Sequence, residues 1–349
     1  MSGCEMPLPL GEAALRASAS PKGRGGSLST YIFCALALVL ACCSPPKSRP
    51  PASEPPRRII SVVPSVTETL FALGLGGNIV AVGDYDHFPP EVEKRPRIGG
   101  LINPNIEKII ELHPDLVITY GSQDVLNERL QSLGIQVFPF RHGNVEKTLG
   151  FILDLGRQVG AEDPAQRLVA AIRKSFEDVR TAAPAKKPKI FLVHDRAGGT
   201  LGSFYSIGSR AFQHDLIEIA GGVNLFGDVD VETFQPSLEE VIRRKPDIIL
   251  ETLSPPVEPR EVAQRKKDWE RLGLVEDRIY IEGETYLLVP GPRFGLAAQR
   301  ISEIVRGVPY SPPRRGGVDA PSKKGAKPPK TAQKGWSDRR NLDFAELFN

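Results

Sequence analysis

The chain has 349 residues, of which 40% are hydrophobic, so it can build one large or two medium-sized folded domains. Residues 308–349 carry nine basic and four acidic side chains, whereas residues 42–307 carry 33 basic and 36 acidic ones. A mildly acidic body argues against a nucleic-acid-binding protein. All four cysteines precede residue 44, which excludes a disulfide framework and a thiolate metal site from the rest of the chain.

The N-terminal region predicts an export signal. Basic residues precede an apolar run at 31–41 that is too short to span a bilayer comfortably. The run ends with a small residue directly before Cys42, which predicts a lipoprotein signal peptide at 1–41 and a lipidated Cys42. An ordinary signal peptide or a membrane anchor is the alternative. Residues 42–56 are rich in proline and predict a tether.

Short apolar segments alternate with amphipathic ones between residues 57 and 307. This alternation predicts parallel sheets with helices on both faces. We expect strands at 58–63, 79–85, 115–119, 135–140, 189–195, 221–226, 246–251 and 278–282, and helices at 64–77, 106–113, 124–133, 163–182, 209–220, 237–244, 261–271 and 293–305.

Local signals predict how individual helices begin. Ser65 and Glu68 occupy the two positions of a capping box at the start of the first helix. Asn105 and Ser237 are N-cap residues of two later helices. In the helix that Asn105 begins, Ile110 falls on the apolar stripe.

The helix predicted at 163–182 interrupts the alternation and divides the body. At about 1.5 Å per residue it would extend about 30 Å, the width of a small domain. We therefore expect an N-terminal lobe at 57–160, a bridging helix at 161–184 and a C-terminal lobe at 185–307. The basic residues 308–349 contain almost nothing apolar and predict a disordered tail.

One segment occurs twice. Residues 104–118, "PNIEKIIELHPDLVI", align without gaps on residues 236–250, "PSLEEVIRRKPDIIL". The repeat places Glu107 and Glu239 in the first turn of equivalent helices. The helix dipole accounts for one such glutamate with roughly 0.3 to 1 kcal/mol, but it does not account for a matched pair.

The order and spacing of five segments resemble a known family. They are "RIISVVPSVTETLFALGLGGNIVAVGDYDHFPP", "IGGLINPNIEKIIELHPDLVI", "FQHDLIEIAGGVNLFGDV", "QPSLEEVIRRKPDIIL" and "GPR". Together they resemble the helical-backbone (class III) substrate-binding proteins of ABC transporters over residues 57–306. Cobalamin binders are the nearest type, with ferric-siderophore and haem binders as cousins.

The resemblance implies an α/β fold of two Rossmann-like lobes with central parallel sheets, joined by one rigid helix, with the ligand in the cleft between them. It implies that Glu107 and Glu239 pair with arginines of an ABC permease, a charge-assisted contact. We also expect a monomer with no metal or cofactor of its own and no nucleic-acid partner, held to the membrane through lipidated Cys42.

The loops that follow the strands are expected to line the cleft in such a fold. Tyr85 matches a cleft tyrosine of the cobalamin binders, whereas Leu101 and Thr233 stand where those proteins have tryptophans. Aromatic faces suit a corrin or porphyrin, and arginines suit an anionic chelate, so the expected ligand is a corrinoid or a metal chelate. The candidate ligand-contacting residues are Ser65, Tyr85, His87, Phe88, Leu101, Tyr120, Arg141, Arg196, Tyr205, Phe234, Tyr286 and Arg293.

Two other classes of function remain as alternatives. An enzyme would need a converging nucleophile and base, for which the loops offer Ser65, Ser122, His87 and His142. No G-x-S-x-G turn, H-E-x-x-H helix or P-loop is present, so an enzyme is disfavoured. A surface interaction protein that keeps the fold without transport would use the basic tail as its binding element.

Overall fold

The computed structural model describes residues 54–101, 103–196, 201–254 and 256–308. The predicted signal peptide, Cys42, nearly all of the tether and nearly all of the basic tail therefore lie outside the described residues. The helices and strands described below belong to one compact unit that begins at Pro55. Within the described residues, no helix combines the length and apolar character needed to cross a membrane.

The first sheet is built from the N-terminal part of the chain. Its four strands are parallel, as the alternating pattern predicts, and they lie in the order β2-β1-β3-β4. Helix α4 lies in a region where we expected no helix. The elements are β1 (Ile59–Ser61), α1 (Pro64–Ala72), β2 (Ile79–Val82), α2 (Ile106–Glu111), β3 (Leu116–Tyr120), α3 (Asp124–Ser132), β4 (Gln136–Phe140) and α4 (Val145–Gln158).

The second sheet follows the order β10-β9-β5-β6-β8, and β7 also pairs with β5. Strand β6 runs antiparallel to both β5 and β8, so the expectation of a purely parallel sheet is wrong at this edge. The elements are β5 (Lys189–Arg196), β6 (Phe204–Ile207), α6 (Phe212–Ile219), β7 (Val223–Asn224), β8 (Thr233–Phe234), α7 (Leu238–Arg244), β9 (Ile248–Thr252), α8 (Pro259–Glu270), β10 (Ile279–Glu282) and α9 (Phe294–Val305).

Helix α5 (Glu162–Thr181) stands between the two sheets in the sequence and confirms the predicted long helix. It packs against both α4 and α9. Its buried residues recur at intervals of three and four, which places them on one face of the helix. That face comprises Ala165, Leu168, Val169, Ile172, Ser175, Phe176 and Val179.

One hydrophobic core extends from the first sheet through α5 to one face of the second sheet. Side chains alternate between the faces of a strand, and β5 shows this directly. Ile190 and Leu192 join the shared core, whereas Phe191 and Val193 join a separate cluster around Trp269 on the opposite face. The two lobes are therefore packed together through the shared core.

The repeat seen in the sequence is also present in the backbone. Asn105 Oδ1 accepts a hydrogen bond from the amide of Lys108 at 2.9 Å, and Ser237 Oγ accepts one from the amide of Glu240 at 3.2 Å. Both predicted N-caps are confirmed.

The equivalence continues beyond the two helices. His113 and Lys245, at matching positions of the repeat, both adopt positive φ angles of 44° and 54°. Asp115 and Asp247 then accept hydrogen bonds from a backbone amide of the first strand segment in their own lobe, at 2.9 and 2.8 Å. Helices α2 and α7 are thus attached to their sheets in the same way.

A buried charge network lies inside the second lobe. The side chain of Arg196 has no exposed surface, and it donates to Glu251 Oε1 at 3.1 Å and to Asp268 Oδ2 at 3.3 Å. Arg265 Nη1 and Trp269 Nε1 also donate to the Glu251 carboxylate, at 2.5 and 2.6 Å. The expectation that Arg196 lines the ligand cleft is therefore wrong, because its guanidinium is enclosed by internal carboxylates.

Replacing Glu251 tests whether this network stabilises the lobe. Glu251→Gln is expected to lower the free energy of unfolding by about 3 kcal/mol, because it removes the buried negative charge that Arg196 and Arg265 share. Urea unfolding followed by tryptophan fluorescence measures the change. Glu261→Gln is the control, since this partly exposed glutamate also pairs with Arg265, at 2.8 Å, and should change stability by less than about 1 kcal/mol. Equal effects would contradict a special role for the buried carboxylate.

Candidate functional site

The candidate site consists of loops at the carboxyl ends of the strands. In the parallel first sheet these loops share one edge, the usual location of ligands in open α/β sheets. The loop after β2 holds Tyr85, His87 and Phe88, β3 ends at Tyr120, and β4 is followed by Arg141.

The start of α1 differs from the sequence-based expectation. Val63 occupies the N-cap position without a side-chain hydrogen bond, and both Ser65 and Glu68 are buried, so the predicted capping box is wrong. The Glu68 carboxylate accepts hydrogen bonds from Arg293 Nε at 2.8 Å and Nη2 at 2.5 Å. Glu68 belongs to the first lobe and Arg293 directly precedes α9, so this ion pair joins the lobes.

Aromatic rings surround the guanidinium of Arg293. Its central carbon lies 4.1 Å from the ring centroid of Phe88 and 5.9 Å from that of Tyr286. Its Nη2 also donates to Thr285 Oγ1 at 2.9 Å. Three of the predicted cleft residues, Phe88, Tyr286 and Arg293, are therefore brought together. Since the guanidinium is buried and held by Glu68, we assign Arg293 to the joint between the lobes and not to ligand contact.

Hydrogen bonds from Arg97 hold the loop after β2 in place. Arg97 Nη1 donates to the backbone carbonyls of Gly83 at 2.7 Å and Asp86 at 2.5 Å. The Asp86 side chain points inward, and burial raises its pKa to about 7 from an ordinary value of 3.8.

This anchored loop presents Tyr85 to solvent, with 65% of the residue exposed. The neighbouring His87 is also exposed, but its Nδ1 lies 2.9 Å from Glu93 Oε1 and so it already has a partner. Leu101, half-buried, accepts a hydrogen bond at its carbonyl from Gln123 Nε2 at 2.5 Å. Of these three candidates, Tyr85 offers the most accessible apolar surface.

A second contact between the lobes forms at His142. Its ring centroid lies 4.9 Å from that of Tyr120 and 5.4 Å from that of Phe140. Its Nδ1 lies 3.5 Å from Glu232 Oε1, which belongs to the second lobe just before β8. The structure thus places Tyr120 beside an imidazole that faces across the boundary between the lobes.

His194, near the end of β5, contributes to the same electrostatic environment. Burial lowers the pKa of His142, and His194 lowers it further against the opposing effect of Glu232. Burial likewise lowers the pKa of His194. Within the part of the chain that the structure describes, neither Nδ1 atom has a hydrogen-bond partner. Near neutral pH the site therefore contains two neutral imidazoles that can donate, accept or coordinate.

The remaining candidates are dispersed around these loops. Tyr205 is exposed on β6, opposite Asp195 near the carboxyl end of β5. Phe234 is half-buried and packs edge-on against Phe226, with ring centroids 5.2 Å apart. Arg141 is exposed next to the loop at Gly121.

The two glutamates of the repeat are exposed in the first turns of α2 and α7. No ion pair or side-chain hydrogen bond engages Glu107 or Glu239 among the described residues. Glu240, by contrast, pairs with Arg244 at 2.6 Å. At this position of the repeat, each lobe therefore presents a carboxylate that makes no ion pair within the described residues.

Two surface depressions lie away from the candidate ligand residues. Depressions of about 400 and 540 Å³ are lined by α4–α6 residues and by residues around Arg244, and none of the candidate ligand residues lines either of them. Across the described ranges, no three His, Cys, Asp or Glu side chains are grouped to hold a metal ion.

Comparison with known proteins identifies a family and several related binding proteins. A family profile described as periplasmic binding protein matches residues 59–268. The vitamin B12-binding protein of Vibrio cholerae serotype O1 is 28% identical over 199 residues, covering 56% of this chain and 70% of that protein. YvrC of Bacillus subtilis (strain 168), named as an uncharacterized ABC transporter substrate-binding lipoprotein, is 26% identical over 264 residues, covering 72% and 80%.

A solved structure has the same fold. The periplasmic heme-binding protein HutB of Vibrio cholerae superposes with a TM-score of 0.63 at 22% sequence identity. The match covers 71% of this chain and 98% of that one.

The pH dependence of stability tests the inward orientation of Asp86. Between its ordinary pKa of 3.8 and about 7, the folded state keeps a proton that the unfolded state has lost, so Asp86 makes stability fall as pH rises through this window. Asp86→Asn removes this cost and is expected to stabilise the protein at pH 8, by up to about 4 kcal/mol, but not at pH 4.

Thermal or urea unfolding at both pH values measures the difference from the wild-type protein. Asp84→Asn is the control, because Asp84 is exposed in the same loop and should have little effect at either pH. A loss of stability at pH 8 in Asp86→Asn would mean that the ionised carboxylate is needed.

Proposed function

The chain belongs to the periplasmic binding protein family, the substrate-binding proteins of ABC transporters, and we propose that it captures cobalamin or a related corrinoid outside the cytoplasm. The observation that carries the proposal is the exposed ring of Tyr85 at the carboxyl edge of the first sheet, in a chain related to a vitamin B12-binding protein. An aromatic ring that is apolar on its face and polar at its tip suits the broad face and polar rim of a corrin.

The joints between the lobes support a binding role. The Glu68–Arg293 ion pair holds the start of α1 and the segment before α9 together, and His142 lies against Glu232 of the other lobe. Preorganised loops lose less conformational freedom on binding, and this improves affinity. Catalysis is not part of the proposal, and the relatives described above are named as binding proteins.

A haem or a ferric siderophore is the second candidate ligand. The neutral imidazoles of His142 and His194 favour it, because neutral nitrogen ligands suit iron. The exposed guanidinium of Arg141 would suit an anionic chelate. A heme-binding protein with the same fold also supports this ligand class as the second candidate.

We further propose that Glu107 and Glu239 dock the protein to the permease of an ABC importer. Family members work with such a permease. Two carboxylates that make no ion pair within the described residues, one on each lobe, support this role, since a guanidinium can bind each of them through paired hydrogen bonds. Two contacts, one on each lobe, would also fix the orientation of the protein on its partner.

Lipidation of Cys42 would hold the protein at the membrane. The support is the sequence around Cys42, which lies outside the described residues, and the name of the Bacillus subtilis relative as a lipoprotein. A tethered receptor remains close to its importer, which raises its effective concentration there.

Ligand titration tests the capture of a corrinoid. Calorimetry is expected to give a Kd below about 10 μM for cyanocobalamin, equivalent to a binding free energy of about −7 kcal/mol. Tyr85→Ala should weaken binding about tenfold, because an aromatic contact contributes on the order of 1 kcal/mol. Val125→Ala, an exposed substitution on α3, is the control. Haemin and ferric siderophores are titrated in parallel.

The outcome separates the two ligand classes. Binding of haemin alone, or of a siderophore alone, would replace the corrinoid proposal with the second candidate. Failure of all three ligand classes to bind below that concentration would contradict nutrient capture.

A double variant tests the docking role. Glu107→Gln with Glu239→Gln is expected to leave ligand affinity unchanged and to weaken association with the permease by on the order of 100-fold, because two charge-assisted contacts are lost. Glu128→Gln, an exposed glutamate on α3, is the matched control. Loss of ligand binding in the double variant would contradict the assignment of these residues to docking.

A further inference from the structure

Two isoleucines are exposed on the helices that carry the docking glutamates. Ile110 on α2 is 39% exposed and Ile242 on α7 is 45% exposed. For Ile110 this corrects the interpretation of the apolar stripe, which would place the side chain against the sheet.

Neither isoleucine is needed to attach its helix to the lobe. Ile109 and Val241, one position earlier in each helix, are fully buried and supply the apolar contact with the interior. Exposed positions on short helices are usually polar, and either isoleucine could be replaced by a polar residue without opening the core.

The two isoleucines occupy the same position of the repeat. Each follows its docking glutamate by three residues, Glu107 to Ile110 and Glu239 to Ile242. Residues three apart are neighbours on a helix surface, so each lobe presents a carboxylate beside an apolar side chain. Single exposed hydrophobic residues are common, but chance does not readily give the same pair at equivalent positions of two lobes.

The surrounding positions of the repeat have diverged. Lys108 corresponds to Glu240, and Glu111 corresponds to Arg243, so the flanking charges are opposite in sign. Glutamate and isoleucine are therefore the exposed side chains that helices α2 and α7 have in common. A partner that meets both helices in the same way can use these two shared side chains.

We propose that Glu107–Ile110 and Glu239–Ile242 are two equivalent docking elements, and that the permease receives each one through a guanidinium beside an apolar pocket. The proposal rests on the docking role of the glutamates and extends it. A symmetric pair of membrane subunits would present the guanidinium and its apolar pocket twice, once for each of the two docking elements. The isoleucine excludes water from the adjacent ion pair and so strengthens it.

The test uses the full chain and its cognate ABC permease–ATPase complex, purified and held in nanodiscs. Ile110→Ser and Ile242→Ser are each expected to weaken association about tenfold, because each loses the burial of an aliphatic side chain. Ligand affinity should not change. Val125→Ser is the matched control, because Val125 is 83% exposed on α3 and lies outside the repeat.

Salt separates the apolar contribution from the ionic one. Raising the salt concentration screens exposed charges, so the effect of the glutamate variants should shrink while that of the isoleucine variants persists. Full association by both isoleucine variants, with weakened association by the glutamate variants, would overturn this inference and leave glutamate docking intact. Full association by all variants would overturn the docking proposal itself. An effect at only one isoleucine would overturn the equivalence of the two elements.

Discussion

The apolar face of helix α5 is the contact on which the position of both lobes depends. It is buried in the same core as the first sheet and one face of the second, between α4 and α9. The Glu68–Arg293 ion pair adds a second connection between elements that are 225 residues apart in the chain. Because a packed helix and a buried ion pair both resist bending, the loops at the strand ends are held in a nearly fixed arrangement, and closure around a ligand should be small.

Much of the fold could be predicted from local sequence patterns. The alternation of strand and helix, the long helix α5 and the N-caps at Asn105 and Ser237 all follow from residues that are close together in the chain. Helix α4 was not predicted, although Asn144 caps it and Leu149 and Ile152 belong to its buried face. Strands β6 and β8 are too short to carry a clear alternation of their own, so the antiparallel edge was not visible.

The site was less predictable, because its residues depend on partners far away in the sequence. Glu68 satisfies the spacing of a capping box, and only the fold shows that its partner is Arg293. An arginine that ends a strand, such as Arg196, has the same local sequence whether it faces a cleft or a buried carboxylate. His194 interrupts an apolar strand near its carboxyl end, and this signal could have nominated it. The paired glutamates were identified because the repeat is itself a long-range signal.

The shared hydrophobic core also determines how the molecule unfolds. Since the interior passes from the first sheet through α5 into the second sheet, neither lobe can lose its packing without exposing apolar surface of the other. The two lobes are then one cooperative unit, and the whole chain from the first strand to α9 should melt in a single transition. A ligand bound between the lobes would stabilise this entire unit by about 2.7 kcal/mol when it is present at one hundred times its Kd. Its melting temperature would rise accordingly. The melting temperature would thus report occupancy of the cleft.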